Sequence, residues 1–154
     1  MEYERAIDKI LKLFEITKFA TLATADKNRI VHACQMCLIN DGLTIYMQTD
    51  KTFEKIKNIT ENPHVAINIG AYNFKGIATV IGHPMENTLF IEKLKTKHPE
   101  TFEQYTKISS EVLIKIDLTE CRIWGVDNGE SIHNQASMQI LNFKNKNIRI
   151  YYMQ

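Results

Sequence analysis

The segment Ile30 to Thr49, "IVHACQMCLINDGLTIYMQT", constrains the fold more than any other part of the chain. Two strand-like runs flank Asn40-Asp41-Gly42, and an Asp-Gly pair between such runs signals a β-hairpin. In the second run Leu43, Ile45 and Met47 alternate with Thr44, Tyr46 and Gln48. That period of two is the mark of a half-buried strand. A tight hairpin commits the two strands to antiparallel pairing, whereas parallel strands need a long crossover.

The period then changes. "DKTFEKIKNITEN" places Phe53, Ile56 and Ile59 at helical spacing and stops at Asn62-Pro63, because the residue before a proline is pushed out of the helical region. Upstream, Ala6, Ile7, Ile10, Leu11, Leu13 and Phe14 predict an amphipathic helix from Tyr3 to Ile16. "FATLATAD" reads as a strand closed by the polar turn Asp26 to Arg29. Downstream, "HVAINIG" and "GIATVIGH" read as strands, and a polar helical region from Leu89 to Ile108 is interrupted at Pro99. "VLIKIDLTECRIW" predicts a strand pair or one long bent strand, and "NIRIYYM" a last strand. Strands joined by short turns, with helices between groups of them, predict a mainly β fold with flanking helices: an antiparallel barrel in one domain, residues 1–154. Neither G-x-G-x-x-G nor G-x-x-x-x-G-K-[ST] occurs in the chain.

Composition narrows the function classes. The 154 residues are 44% apolar and 24% charged, with a net charge of +1. No field of one sign steers such a chain to nucleic acid or an anionic membrane. No apolar run approaches the length of a membrane span, and the acids scattered through "MEYERAIDKILKLFEI" are unlike a signal peptide. A cytoplasmic location is expected. Three cysteines then suggest free thiols rather than a disulfide framework.

His32-Ala-Cys-Gln-Met-Cys37 carries a C-x-x-C and a nearby histidine. On a strand, residues three apart point to opposite faces and lie roughly 10 Å apart at about 3.3 Å per residue. A disulfide tolerates at most about 7 Å between Cα atoms. Cys34 and Cys37 therefore neither bridge nor share one tetrahedral metal, and no metal site is expected. Cys37 is expected as a small core hydrophobe. His32, Cys34 and Met36 share one face of the strand, and Ala33, Gln35 and Cys37 the other. The pattern leaves open which face is interior.

"QTDKTFEK" is a second candidate site, where a strand ends at Gln48-Thr49 and a helix follows. Helix N-termini offer free N–H groups and partial positive charge to a phosphate. Thr49 and Thr52 add hydroxyls, and Lys51 and Lys55, four apart, are expected on one helical face. The competing reading is a capped helix with solvated lysines, and Asp50 would repel an anion.

The order "FATLATAD", "IVHACQMCLINDGLTIYMQTDKTFEKIKNITENPHVAINI", "GIATVIGHP" and "CRIW" resembles the pyridoxamine 5′-phosphate oxidase-like FMN-binding split barrels. It is most similar to their general-stress-protein and nitroimidazole-resistance-like branch, over about residues 5 to 125. The resemblance implies a homodimer with FMN at the subunit interface and a small-molecule substrate or electron donor. It also implies that Lys55 binds the phosphate, with Lys51 a further candidate, and that Gln48 and Thr49 line the cofactor. Ala33, Cys34, Gln35 and Met36 would run beside the flavin, and Trp124 would reach it from the partner subunit. The family often has a phosphate-binding arginine near Cys34. The true oxidase carries Arg-x-His where this chain has Ser131-Ile132-His133, so oxidation of pyridoxamine phosphate is not expected. Two rival readings use the same barrel: haem held by His32, His64 or His83, and a cofactor-free sensor or interaction protein.

Overall fold

The structure, a computed structural model, describes residues 2–124, 126–127, 130–131 and 137–152. Helix α1 (Glu2–Ile16) buries Ala6, Ile10 and Phe14, spaced four apart on one face. It is followed by strands β1 (Phe19–Ala25), β2 (Val31–Cys37), β3 (Ile39–Asp41) and β4 (Thr44–Asp50). Gly42, at φ +57°, supplies the left-handed residue of the β3–β4 turn. Helix α2 (Glu54–Glu61), β5 (His64–Ile69), β6 (Tyr72–Val80), α3 (Thr88–Lys97) and β7 (Glu111–Trp124) follow. Two short strands, β8 (Val126–Asp127) and β9 (Glu130–Ser131), precede β10 (Ser137–Asn142) and β11 (Asn147–Tyr152).

All pairings are antiparallel. β2 pairs with β1, β1 with β5, β5 with β6, β6 with β7, β7 with β4 and β4 with β3. Only Leu38 separates β2 from β3, so the sheet curls into a ring that closes through one bent strand. At that bend the Leu38 amide donates to the Lys18 carbonyl at 2.9 Å. The β3–β4 register, Ile39 opposite Tyr46, would continue to Cys37 opposite Gln48 and Gln35 opposite Asp50. It does not continue, since β2 turns to β1 and β4 to β7. The barrel is split along that line.

β7 makes the rest of the architecture possible. Its first half pairs with β4 and its second with β10, while β6 runs along most of its length. The β6–β7 register shifts at Lys75/Gly76, leaving Thr119 as an extra residue, and such a bulge bends a strand and increases its twist. A Cβ on Gly76 would lie 2.7 Å from Ile116 Cγ2, so the close approach excludes a side chain there.

Alternate residues fill the interior, among them Leu22, Ile45, Met47, Ile67, Phe74 and Ile116. A second cluster, Ile39, Phe90, Ile91, Leu94, Phe102 and Leu113, holds α3 and the following helical segment to the outside of the barrel. That segment breaks at His98, restarts at Pro99 and passes through a π-helical turn, Phe102–Thr106. Pro99 disfavours α geometry at His98, as expected from the sequence. Helix α2 lies over one barrel mouth, where Asn58 Nδ2 donates to Thr24 Oγ1 at 3.0 Å. No helix among the described residues is long and apolar enough to cross a membrane.

Two expectations need correction, and one open alternative is resolved. Helix α2 starts at Glu54, so Lys51 and Thr52 sit in the preceding turn and Lys51 does not share a helical face with Lys55. β2 is interior through His32, Cys34 and Met36, so Cys37 is a half-buried outer-face residue; the fully buried thiol is Cys121. "VLIKIDLTECRIW" belongs to one long strand, which the bulge and twist let serve two neighbours in succession.

Candidate functional site

The split between β2 and β4 opens into a groove of about 370 Å³, within the range of small-molecule sites. Gln35, Met36 and Cys37 form one wall, and Gln48, Thr49 and Asp50 the other. These are the residues left facing one another where the ladder parts. Phe53 and Lys55 close one end, and Tyr105 comes from the π-helical turn, Ile108 from the connection after it and Glu111 from the start of β7.

Lys55 is the central cation. It is only 8% exposed, because α2 turns its inner face onto the barrel mouth. Its Nζ donates to Thr49 Oγ1 at 3.2 Å and lies 5.0 Å from the Phe53 ring centroid. One hydrogen bond takes one of the three ammonium donors. Gln48 is fixed by the Thr106 hydroxyl, which donates to its Oε1 at 2.9 Å.

Asp50 is committed locally. The Ser110 hydroxyl donates to Oδ2 at 2.6 Å, and the Thr52 hydroxyl and amide donate to Oδ1 at 2.6 and 2.8 Å. These bonds, with the nearby Lys51 charge, hold its carboxyl down at about 2. The Lys51 amide donates to the Ser110 carbonyl and the Phe53 amide to the Asp50 carbonyl. The turn donors expected for a phosphate are therefore spent on the chain itself. What remains to receive an anion is the Lys55 ammonium, with the Thr49 hydroxyl, which accepts from it and keeps its own proton to donate.

The sequence-predicted residues divide accordingly. Gln35, Met36, Gln48, Thr49 and Lys55 meet at the groove. Ala33 is exposed on the same outer face of β2 as Gln35. Cys34 points into the barrel and packs against the core. Lys51 is exposed on the turn, and Trp124 is 49% exposed at the far end of β7. Ile132 and His133 lie outside the described residues. The pattern missed Tyr105, Ile108 and Glu111. The first two sit in a segment read only as polar helix, and Glu111 is one acid ahead of an apolar strand.

The histidines named for haem lie elsewhere. His83 Nδ1 accepts from the Met85 amide at 3.1 Å and Nε2 is 2.9 Å from the Ile108 carbonyl oxygen. His64 is exposed on β5. His32 faces inward, with Nε2 3.8 Å from Glu54 Oε2.

A ring of antiparallel strands, opened between β2 and β4 with a groove in the opening, defines the chain as a split β-barrel. The family profile described as pyridoxamine 5′-phosphate oxidase matches residues 6–125, and the chain belongs to that family. It is 38% identical over 68 residues to general stress protein 26 of Bacillus subtilis. That match takes in 44% of this chain and 47% of the relative, about half its length. Two solved structures share the fold. The heme storage protein HutZ of Vibrio cholerae superimposes with a TM-score of 0.67 at 13% identity, over 80% of this chain and 97% of that one. A pyridoxamine 5′-phosphate oxidase-related, FMN-binding protein of Nostoc punctiforme gives 0.59 at 11% identity, over 100% and 97%.

Proposed function

We propose that the chain is an FMN-binding flavoprotein, an oxidoreductase or flavin reductase for a small molecule, with FMN in the groove between β2 and β4. The observation that carries this reading is the buried Lys55 cation at the end of a groove of ligand size. The residues fit the cofactor at two points. Lys55 offers ammonium donors to a phosphate, and Phe53, Tyr105 and Ile108 offer apolar surface to a flat ring. Bound FMN would supply hydride and single-electron transfer, while the protein supplies position and electrostatics.

A second copy of the chain is the proposed cover for the open side. Ile30 and Val31 at the start of β2 are 60% and 77% exposed, and Phe53 in the groove lining is 53% exposed; exposed apolar residues of this kind mark interaction surfaces. No histidine lines the groove among the described residues, which favours flavin over haem.

The test is a titration of purified protein into FMN, following flavin fluorescence, with a parallel absorbance titration using haemin. Saturable quenching at one FMN per chain is expected. A protein that leaves FMN fluorescence unchanged would overturn the reading. A Soret band shifted by haemin alone would replace it with the haem alternative.

A further inference from the structure

Asp50 and Glu111 stand directly opposite each other where β4 pairs with β7. Residues in direct register share a face of the sheet, and like charges there repel. The two carboxyls are not equivalent. Asp50 has both oxygens engaged by Ser110 and Thr52. Glu111 is 8% exposed, and its Oε2 is buried without a hydrogen-bond partner. Both line the groove with Lys55. A buried, unpartnered oxygen is costly, and here it lies in the wall of a ligand-sized opening.

The charges decide its form. Asp50 from β4, Lys55 from α2 and His83 from the segment after β6 act on Glu111. Burial and Asp50 push its carboxyl upward, against Lys55 and His83. With Glu111 ionised, two carboxylates face one ammonium at the place a phosphate would enter. With Glu111 neutral, one repulsion disappears and an O–H donor takes its place.

Resting on the FMN reading, we propose that Glu111 is a phosphate-contacting residue that works as a neutral acid. It takes up one proton from solvent as a phosphomonoester enters the groove, and donates the resulting O–H to a phosphate oxygen. No covalent bond of the ligand forms or breaks. The cofactor's phosphate and the Glu111 proton then bind together.

Isothermal titration of wild type, Glu111→Gln and Glu111→Leu with FMN and with riboflavin, from pH 6 to pH 9, tests this. Two buffers of different ionisation heat report proton uptake. Wild type is expected to take up close to one proton per FMN at pH 8, and to lose affinity about tenfold per pH unit above neutrality. The FMN phosphate becomes a dianion near pH 6, so its own ionisation would leave affinity flat above neutrality. Riboflavin binding should stay flat with pH. Glu111→Gln, which keeps shape and a donor, should bind FMN without proton uptake and more tightly than wild type at pH 9. Glu111→Leu should bind FMN more weakly than the Gln variant throughout. FMN binding by wild type without proton uptake, or equal pH profiles in wild type and Glu111→Gln, would overturn the role of Glu111 while leaving the FMN reading intact. Absence of binding to FMN and riboflavin in every protein at every pH would overturn both.

Discussion

Replacing Lys55 by Met isolates the phosphate contact from the rest of the groove. Met is close to Lys in length and apolar, so the packing of the side-chain stem under α2 is largely kept. The Lys55 ammonium is nearly enclosed, 8% exposed, and makes one hydrogen bond, to Thr49. Charge-assisted hydrogen bonds contribute about 1.5–3 kcal/mol net, which converts to about a 10- to 150-fold loss of FMN affinity. Riboflavin lacks the phosphate and should lose less than about threefold. The protein itself should lose about 1 kcal/mol at most, since the Thr49 hydroxyl gives up one neighbour and is free to rotate. Fluorescence titrations of both ligands at pH 7 and fixed salt give the ratio, and thermal unfolding gives the stability. The FMN loss should shrink in higher salt only slightly, because a buried cation is weakly screened. Equal losses for FMN and riboflavin, or no loss for FMN, would refute the assignment of Lys55 to the phosphate.

Two further outcomes follow from the face assignment of β2 and from Asp50. Cys34→Arg should lower stability by about 2–3 kcal/mol without tightening FMN, because the guanidinium would enter the barrel interior. Ala33→Arg, on the exposed outer face beside Gln35, should leave the unfolding temperature within about two degrees and tighten FMN about tenfold. The reverse result in calorimetry and titration would show that the face assignment is wrong. The Asp50 carboxyl is held at about 2 against an ordinary value of 3.8. Its stabilising contribution is therefore present above pH 3.8 and lost as the pH falls through about 2. Ser110→Ala removes the foremost hydrogen bond on Asp50. Its unfolding temperature should fall below wild type at pH 5–7, with the gap closing between pH 4 and pH 2. A gap that persists undiminished at pH 2 would mean that Ser110 acts independently of the Asp50 charge.

How far the sequence alone reaches depends on which interaction sets each feature. The hairpin at Gly42, the helix carrying Ile56 and Ile59, and the break before Pro99 are local choices of backbone and turn, and all three are present in the structure, with Phe53 left in extended backbone just ahead of the helix. β10 is not visible in the pattern, because Ser137 to Asn142 shows neither alternation nor a turn signal; it exists by pairing with the second half of β7. The early start of α2 in the sequence reading has a chemical cause. Asp50 captures the Thr52 amide and hydroxyl in a turn, and this competes with the helix for the donors a phosphate would have used.

The site shows where periodicity stops being informative. A period of two fixes that Cys34 travels with His32 and Met36, and that Ala33 travels with Gln35 and Cys37, but it is symmetric between inside and outside. The tie is broken far away in sequence. β2 must present Met36 to a core built from β1, β5 and β7, and the ladder must change partner at Leu38. That change of partner opens the groove and turns Cys37 outward. Glu111 follows the same logic. Its neighbours in sequence, "SSEVLIK", suggest only a strand entry, and its character comes from register, which sets it across from a carboxylate whose hydrogen bonds are already taken. Two carboxyls driven apart by unequal surroundings are a recurrent way to make one of them the readier to take up a proton. In this barrel the inequality is created by Ser110, adjacent to Glu111 in sequence but bonded to Asp50 across the sheet.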